Sequence, residues 1–262
     1  MSPGRVYAIM LRYLYGIPHD VPRLFDIFFW PLVDLFVWGF VTVYLAQARG
    51  GAYVALSWLI GGIIFWTLLY RASQDVAVQL LEDIWARNFL NLFASPLRLS
   101  EFIAALLIVT LLKVLVTFAI IAAIAYVGYA FDVFALGLYL LPFVGVLFLF
   151  GWALGLVVAA LIVRYGSRVQ IFAWGAAFLI QPISAVFYPV DILPAPLIPL
   201  ARANPATYVF EGMRAVLLEG SFPADQWLLA LALSALTLAL SIWLFVALFD
   251  QARARGMLAR LD

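Results

Sequence analysis

The 262-residue chain contains one lysine, Lys113, one histidine, His19, and no cysteine. Those three facts bound its chemistry. A phosphate-cradling loop of the form G-x-x-x-x-G-K-[ST] needs a lysine behind its glycines, and Lys113 stands in LLKVL. Ser–His chemistry would have to use His19, which sits beside Asp20 ahead of a long apolar run. A solvated interfacial imidazole is the plain reading there. No carboxylates cluster as a metal-dependent prenyl or phosphatidyl transferase would require. Thiolate metal sites and disulfides fall with the cysteines. The chain is expected to hold no catalytic group, metal or cofactor of its own.

What remains is charge in apolar surroundings, which is costly and therefore points to function or to pairing. Asp34 lies in the first apolar run and Lys113 in the third. At 1.5 Å per residue their depths are roughly 12 and 16 Å from the same surface, close enough for a salt bridge. Such a pair is either a fixed structural contact or one that breaks as the protein changes state. Asp26 is nearer the interface and can remain hydrated.

The elements that must position these groups follow from composition. Hydrophobic residues make up 67% of the chain and charged residues 11%, against about 45–50% apolar in soluble domains. That is a polytopic all-α membrane protein. Residues 4–15 read as an interfacial amphipathic helix, with Arg5 and Arg12 on one face and Val6, Met10 and Tyr13 on another. No cleavable apolar leader is apparent in it. Six spans are expected at 26–46, 53–71, 102–128, 134–163, 168–188 and 227–249, the fourth open to a kink at Pro142. Gly151 and Gly155 form a G-x-x-x-G that lets another helix of the same chain approach closely. Trp38, Trp66, Trp152, Trp174 and Trp243 sit deep in the runs, for packing or for lipid. With the N-terminus cytoplasmic, eleven arginines fall inside, three (Arg49, Arg202, Arg214) fall outside, and Lys113 lies within a span. Both termini should then be cytoplasmic. A net charge of +1 argues against nucleic acid as a partner.

Two connections stand out. Residues 72–101 form the longest internal one, and within 86–101 Ser95-Pro96 can break one helix and start another. Residues 181–220 carry prolines at 182, 189, 194, 196, 199 and 205, too many for a span, and apolar residues too frequent for a polar loop. Asn204 and Pro205 read as a helix cap and first turn, Gly220 as its end. Phe210, Met213 and Leu217 share one face, and Glu211 can reach Arg214 across a turn. Two short helices are expected over 191–220.

The order of these pieces resembles a known family. A long apolar helix, then SAVFYPVDILP, then PLARANPATYVFEGMR is similar to the type-2 ATP-binding-cassette (ABC) exporter permeases, and WARNFLNLFASPLRLSEFI resembles their cytoplasmic coupling element. The likeness runs over nearly the whole chain, as a single transmembrane domain over 1–262. It implies a coupling element in which Arg87, Phe89, Leu92, Phe93, Ser95, Pro96 and Arg98 meet a separate ATPase subunit. ATP and Mg would bind on that partner. It implies an external gate of re-entrant helices carrying Asn204, Pro205, Phe210, Glu211, Met213, Arg214 and Leu217. It implies a second permease copy, a homodimer in a bacterial inner membrane, and outward movement of a lipid-linked glycan, a lipid or a hydrophobic drug. A lipid-modifying membrane enzyme and a non-transporting scaffold are the rivals. The first would turn over lipid as an isolated chain; the second would bind no ATPase.

Overall fold

The computed structural model describes residues 1–19, 21–48 and 57–256. The expectations for Asp20, Arg49, Arg260 and the first residues of the second span (53–56) lie outside them, as do the side chains of His19 and Arg23. Every regular element described is helical: α1 (Pro3–Gly16), α2 (Val21–Ala48), α3 (Trp58–Trp85), α4 (Phe89–Ala94), α5 (Leu99–Tyr129), α6 (Leu140–Tyr165), α7 (Phe172–Ile180), α8 (Ile198–Ala203), α9 (Pro205–Glu219) and α10 (Ala224–Ala254).

Four stretches are long and apolar enough to cross a bilayer: Leu24–Ala48, Leu99–Tyr129, Val133–Val169 and Ala224–Ala254. The other two expected spans take different forms. α3 has 28 residues, but past Tyr70 it carries Arg71, Gln74, Asp75, Gln79, Glu82 and Asp83. Its continuation corrects the reading of 72–85 as part of a connection. The helix persists because Ala72, Val76, Ala77, Leu80, Leu81 and Ile84 are all buried, so an apolar face continues although mean hydropathy has fallen. The stretch 168–188 contains only the nine-residue α7, flanked by 3-10 turns at Gly166–Val169 and Gln181–Ile183. Nine α-helical residues rise about 14 Å, half of a hydrocarbon layer.

Pro142 does not kink the fourth apolar run. It stands in the first turn of α6, where a missing amide is harmless. The break comes earlier, at Gly137, whose φ of 58° and ψ of −134° leave the helical region inside Val133–Tyr139.

α6 is the centre of the bundle, with its most extensive contacts to α10 and α3. The G-x-x-x-G explains the second of these. A Cβ on Gly151 would meet Ala72 Cβ at 2.6 Å and Leu69 O at 2.9 Å, and one on Gly155 would meet Ser73 O at 2.5 Å. The glycines thus seat α6 on α3 within one chain. Aromatic side chains of α2, among them Phe25, Trp30, Phe36 and Phe40, and Trp243 of α10 point outward, as helices facing lipid or another subunit do. Trp66 is buried, Trp38 stacks on Phe187 at 3.9 Å, and Trp174 stacks on Trp85 at 6.2 Å.

Gly155→Ala should lower unfolding stability in detergent by about 1–3 kcal/mol, because the added methyl meets backbone that cannot yield. Gly145, on the same helix with nothing near its missing Cβ, provides the control. Gly145→Ala should be neutral or slightly stabilising.

Candidate functional site

Three clusters of polar side chains interrupt the apolar bundle, and α3 reaches all of them. Along α3, Arg71, Asp75, Gln79 and Asp83 recur at four-residue spacing. Four residues turn a helix by one revolution plus about 40°, so the stripe swings by about 120° over its length. As it swings, the stripe meets α2, then α5 twice, then α1. Arg71 Nη1 holds Asp26 Oδ2 of α2 at 2.8 Å and Nη2 donates to the Asp26 carbonyl. Lys113 Nζ of α5 holds Asp75 Oδ2 at 3.1 Å, both side chains being at most 10% exposed. Gln79 Nε2 donates to Thr110 Oγ1 of α5 at 2.9 Å. Asp83 accepts from Arg12 Nη2 and from the Tyr13 hydroxyl of α1.

This corrects the expected pairing of Asp34 with Lys113. Equal depth was a sound criterion, but it did not fix direction around the bundle; Lys113 turns to Asp75 of α3 instead. Asp34 is half-buried and makes no ion pair among the described residues. Asp75 falls within 72–101, which hydropathy alone reads as a connection.

The second cluster closes the end of the bundle that holds both described termini. α3 stops in a Schellman arrangement: Asn88 N–H donates to Asp83 O and Arg87 N–H to Ile84 O, both at 2.9 Å. Arg87, not glycine, occupies the left-handed position, at φ 53°. α4 follows and its aromatic residues turn inward. Phe89 and Leu92 are buried, and Phe93 lies 5.4 Å from Phe102 and 4.8 Å from Phe249, centroid to centroid. The expectation that Phe89, Leu92 and Phe93 form a partner-facing surface is therefore corrected, because these rings tie α4 to α5 and α10. Trp85, Ala86, Arg87, Asn91, Ala94, Ser95, Pro96 and Arg98 are the exposed ones.

Glu101, which the sequence reading passed over, fastens this turn. It is buried at 1% exposure and accepts from the backbone N–H groups of Arg98 (3.0 Å) and Ser2 (2.6 Å). Arg5 sits 3.5 Å from it and also donates to the Pro96 carbonyl at 2.6 Å. Its signal was there to find: a glutamate three residues after a helix cap position.

The third cluster lies at the opposite end, in the proline-rich stretch. Asn204 Oδ1 accepts from Ala206 N at 3.0 Å and its Nδ2 donates to Ser184 Oγ at 2.8 Å, so it caps α9 and holds the end of α7's extension. Thr207 Oγ1 donates to Ile183 O at 3.0 Å. Arg214 pairs with Glu211 at 2.7 Å, donates to Ala185 O at 2.8 Å, and lies 5.2 Å above the Trp58 ring of α3. Glu211 also accepts from Val190 N at 2.9 Å. These bonds clamp Ala185, which holds a positive φ of 55°. Pro205 begins α9, Gly220 ends it, Phe210 and Met213 are fully buried, and Leu217 is partly so. All three clusters are networks of ion pairs and hydrogen bonds among the described residues.

Compared with known proteins, residues 7–218 match the model of a family described as ABC-2 type transporter. No curated protein matches the chain.

Removing one member of the Asp75–Lys113 pair leaves a buried charge unpaired. Lys113→Leu and Asp75→Leu should each destabilise the protein by about 3–5 kcal/mol, and the double variant by far less than their sum. Unfolding in detergent gives the coupling. Asp34→Leu combined with Lys113→Leu should be additive.

Proposed function

The chain belongs to the ABC-2 type transporter family, and from that premise we propose that it is the permease half of an exporter. It is an integral membrane protein and a permease subunit, without a nucleotide-binding site of its own. In the assembly we infer, two copies join two ATPase subunits that bind ATP and Mg. α2, α3, α5, α6, the segment around α7, and α10 make six crossings. An even number agrees with α1 and the end of α10 lying at the same end of the bundle, where Phe249 packs on Phe93.

Charge supports an orientation. Arg5, Arg87, Arg98, Arg164, Arg168, Arg253 and Arg255 belong to the termini end, Arg202 and Arg214 to the other. The richer end is assigned to the cytoplasm. The observation that carries the reading is the turn after α3. Its exposed residues hang from a helix whose polar stripe grips α1, α2 and α5, so a push there moves a rigid unit and not a loop. The opposite end of the same helix touches Arg214 through Trp58. Nucleotide-driven closure of the ATPases would thus be felt at the α8–α9 gate. An amphipathic cargo, whether lipid-linked glycan, lipid or hydrophobic drug, would leave along the seam between the two copies, where the aromatic face of α2 is open in the single chain.

Arg87→Glu combined with Arg98→Glu reverses two exposed charges and leaves the packing of Phe89, Leu92 and Phe93 in place. In the complex purified from its native membrane, this variant should lose most ATPase association and vanadate-sensitive hydrolysis with its thermal midpoint unchanged. Phe89→Ser should instead unfold the permease, costing about 3–5 kcal/mol. Full ATPase recruitment by the charge-reversed variant would remove the docking assignment.

A further inference from the structure

Asp34 is left over from the networks described above. It stands in α2 as WPLVDLFVW, with Trp30 and Trp38 four residues before and after it. Four residues advance a helix by about 6 Å and a little over one turn, so both indoles lie on the acid's side of α2. The carboxylate is half-buried and makes no hydrogen bond or ion pair among the described residues, yet neither of its oxygens is sealed from the surroundings. α2 and α7 both pack on α3, and Tyr70 of α3 faces each of them. Its ring lies 5.0 Å from Phe178 of α7, and Asp34 of α2 is within its electrostatic reach. Towards the α8–α9 end, Trp38 stacks on Phe187 and joins α2 to the segment after α7. Towards the termini, Arg71 is bonded to Asp26. Between those two closures runs an aromatic furrow with one carboxylate in it, and the rings of Trp30 and Phe178, 55% and 46% exposed, stand at its sides.

The charges around the furrow do not balance. Asp26, Asp34, Asp75 and Arg71 all act on Tyr70. Arg71 is spent on Asp26 and Gln74, and Lys113 on Asp75. Three carboxylates therefore meet two cations, and Asp34 is the uncompensated one. A second copy of the chain brings the same two cations, equally engaged, so it does not supply the missing charge. A carboxylate in a span calls for a positive partner, and tryptophan faces attract cations within about 6 Å of the ring centre. An acid with an indole one turn before it and another one turn after it meets both demands.

We propose that this furrow binds an amphipathic organic monocation, whose charge pairs with Asp34 and whose apolar body lies against Trp30, Tyr70 and Phe178. A phosphate-linked glycan would bring a second negative charge to the same point, and a neutral hydrophobe would leave Asp34 uncompensated. Among the cargo classes named above, the site therefore selects the hydrophobic drug, and within that class the cationic members. That the bound cation is cargo rests on the exporter reading; that it binds rests on the geometry of α2, α3 and α7.

The test places the permease with its ATPase in lipid nanodiscs and dialyses it, without nucleotide, against tetraphenylphosphonium or tetraphenylborate. The two ions share shape and size and differ in the sign of their charge; empty nanodiscs correct for partition into lipid. One saturable phosphonium site per permease chain is expected, about tenfold or more tighter than any borate binding. Asp34→Asn should weaken phosphonium binding by about tenfold with the thermal midpoint unchanged, and Asp34→Glu should retain it. Trp30→Ala, at an exposed position, should weaken it by about threefold. Equal affinity for the two ions, or full phosphonium affinity in Asp34→Asn, overturns the proposal. ATP-driven accumulation of tetraphenylphosphonium in inside-out vesicles checks the exporter reading separately. Its absence while binding persists overturns that reading and leaves the site standing.

Discussion

The arrangement depends on one constraint, the desolvation of charge on α3. An ion moved into an apolar interior stays there only beside an opposite charge or a full set of hydrogen bonds. Arg71, Asp75 and Asp83 each meet that condition with a residue from another helix: Asp26, Lys113 and Arg12 respectively. Apolar packing alone would let α1, α2 and α5 slide or rotate against α3 at little cost, since lipid is as apolar as the core. The stripe removes that freedom. A shift of one residue along α3 would unpair all three charges together, so the pairs specify register more than they add stability. The opposite face of α3 makes the complementary demand, with Gly151 and Gly155 of α6 admitting its backbone closely.

α3 consequently spans the whole functional length of the chain. Its first residue, Trp58, lies beneath the Arg214 guanidinium, and its last turn holds Asp83 against Arg12 and Tyr13. Between those points the helix is almost entirely buried. The two clusters that break the bundle's regularity, the turn closed by Glu101 and the clamp around Ala185, therefore share one stiff rod. Both also store a non-glycine residue in the left-handed region, Arg87 and Ala185. Neighbouring hydrogen bonds hold each of them there.

Local rules made much of this legible in the sequence. Asn204-Pro205 and Gly220 bound α9, because capping depends only on residues a turn apart. The Glu211–Arg214 pair and the glycine seam follow from helical spacing in the same way. What failed required knowledge of neighbours. Hydropathy ended the second span at 71, since it scores Asp75 and Asp83 as exposed and cannot see Lys113 or Arg12 across the bundle. Depth alone offered Asp34 to Lys113 because azimuth is invisible before packing. The family likeness assigns Phe89 and Phe93 to a docking surface; an aromatic pair one turn apart fits an outer face as well as an inner one, and Phe249, which decides between them, is more than 150 residues away. The nine-residue α7 was hidden inside a continuous apolar run, whose length says nothing about where helical hydrogen bonding stops.

The central claim is that the stripe makes α1 and α3 one body, so that motion imposed at the turn after α3 is carried into the bundle. The chain lacks cysteine, and both Tyr7 and Ala86 are exposed. Spin labels on Tyr7→Cys and Ala86→Cys therefore report the α1–α3 separation directly by pulsed electron resonance in the assembled transporter. The account predicts one narrow distance distribution, unchanged between nucleotide-free and ATP-bound states even as the two copies' Ala86 labels move relative to each other. A shift of several ångströms, or a second population, in the α1–α3 distance on ATP binding would contradict it.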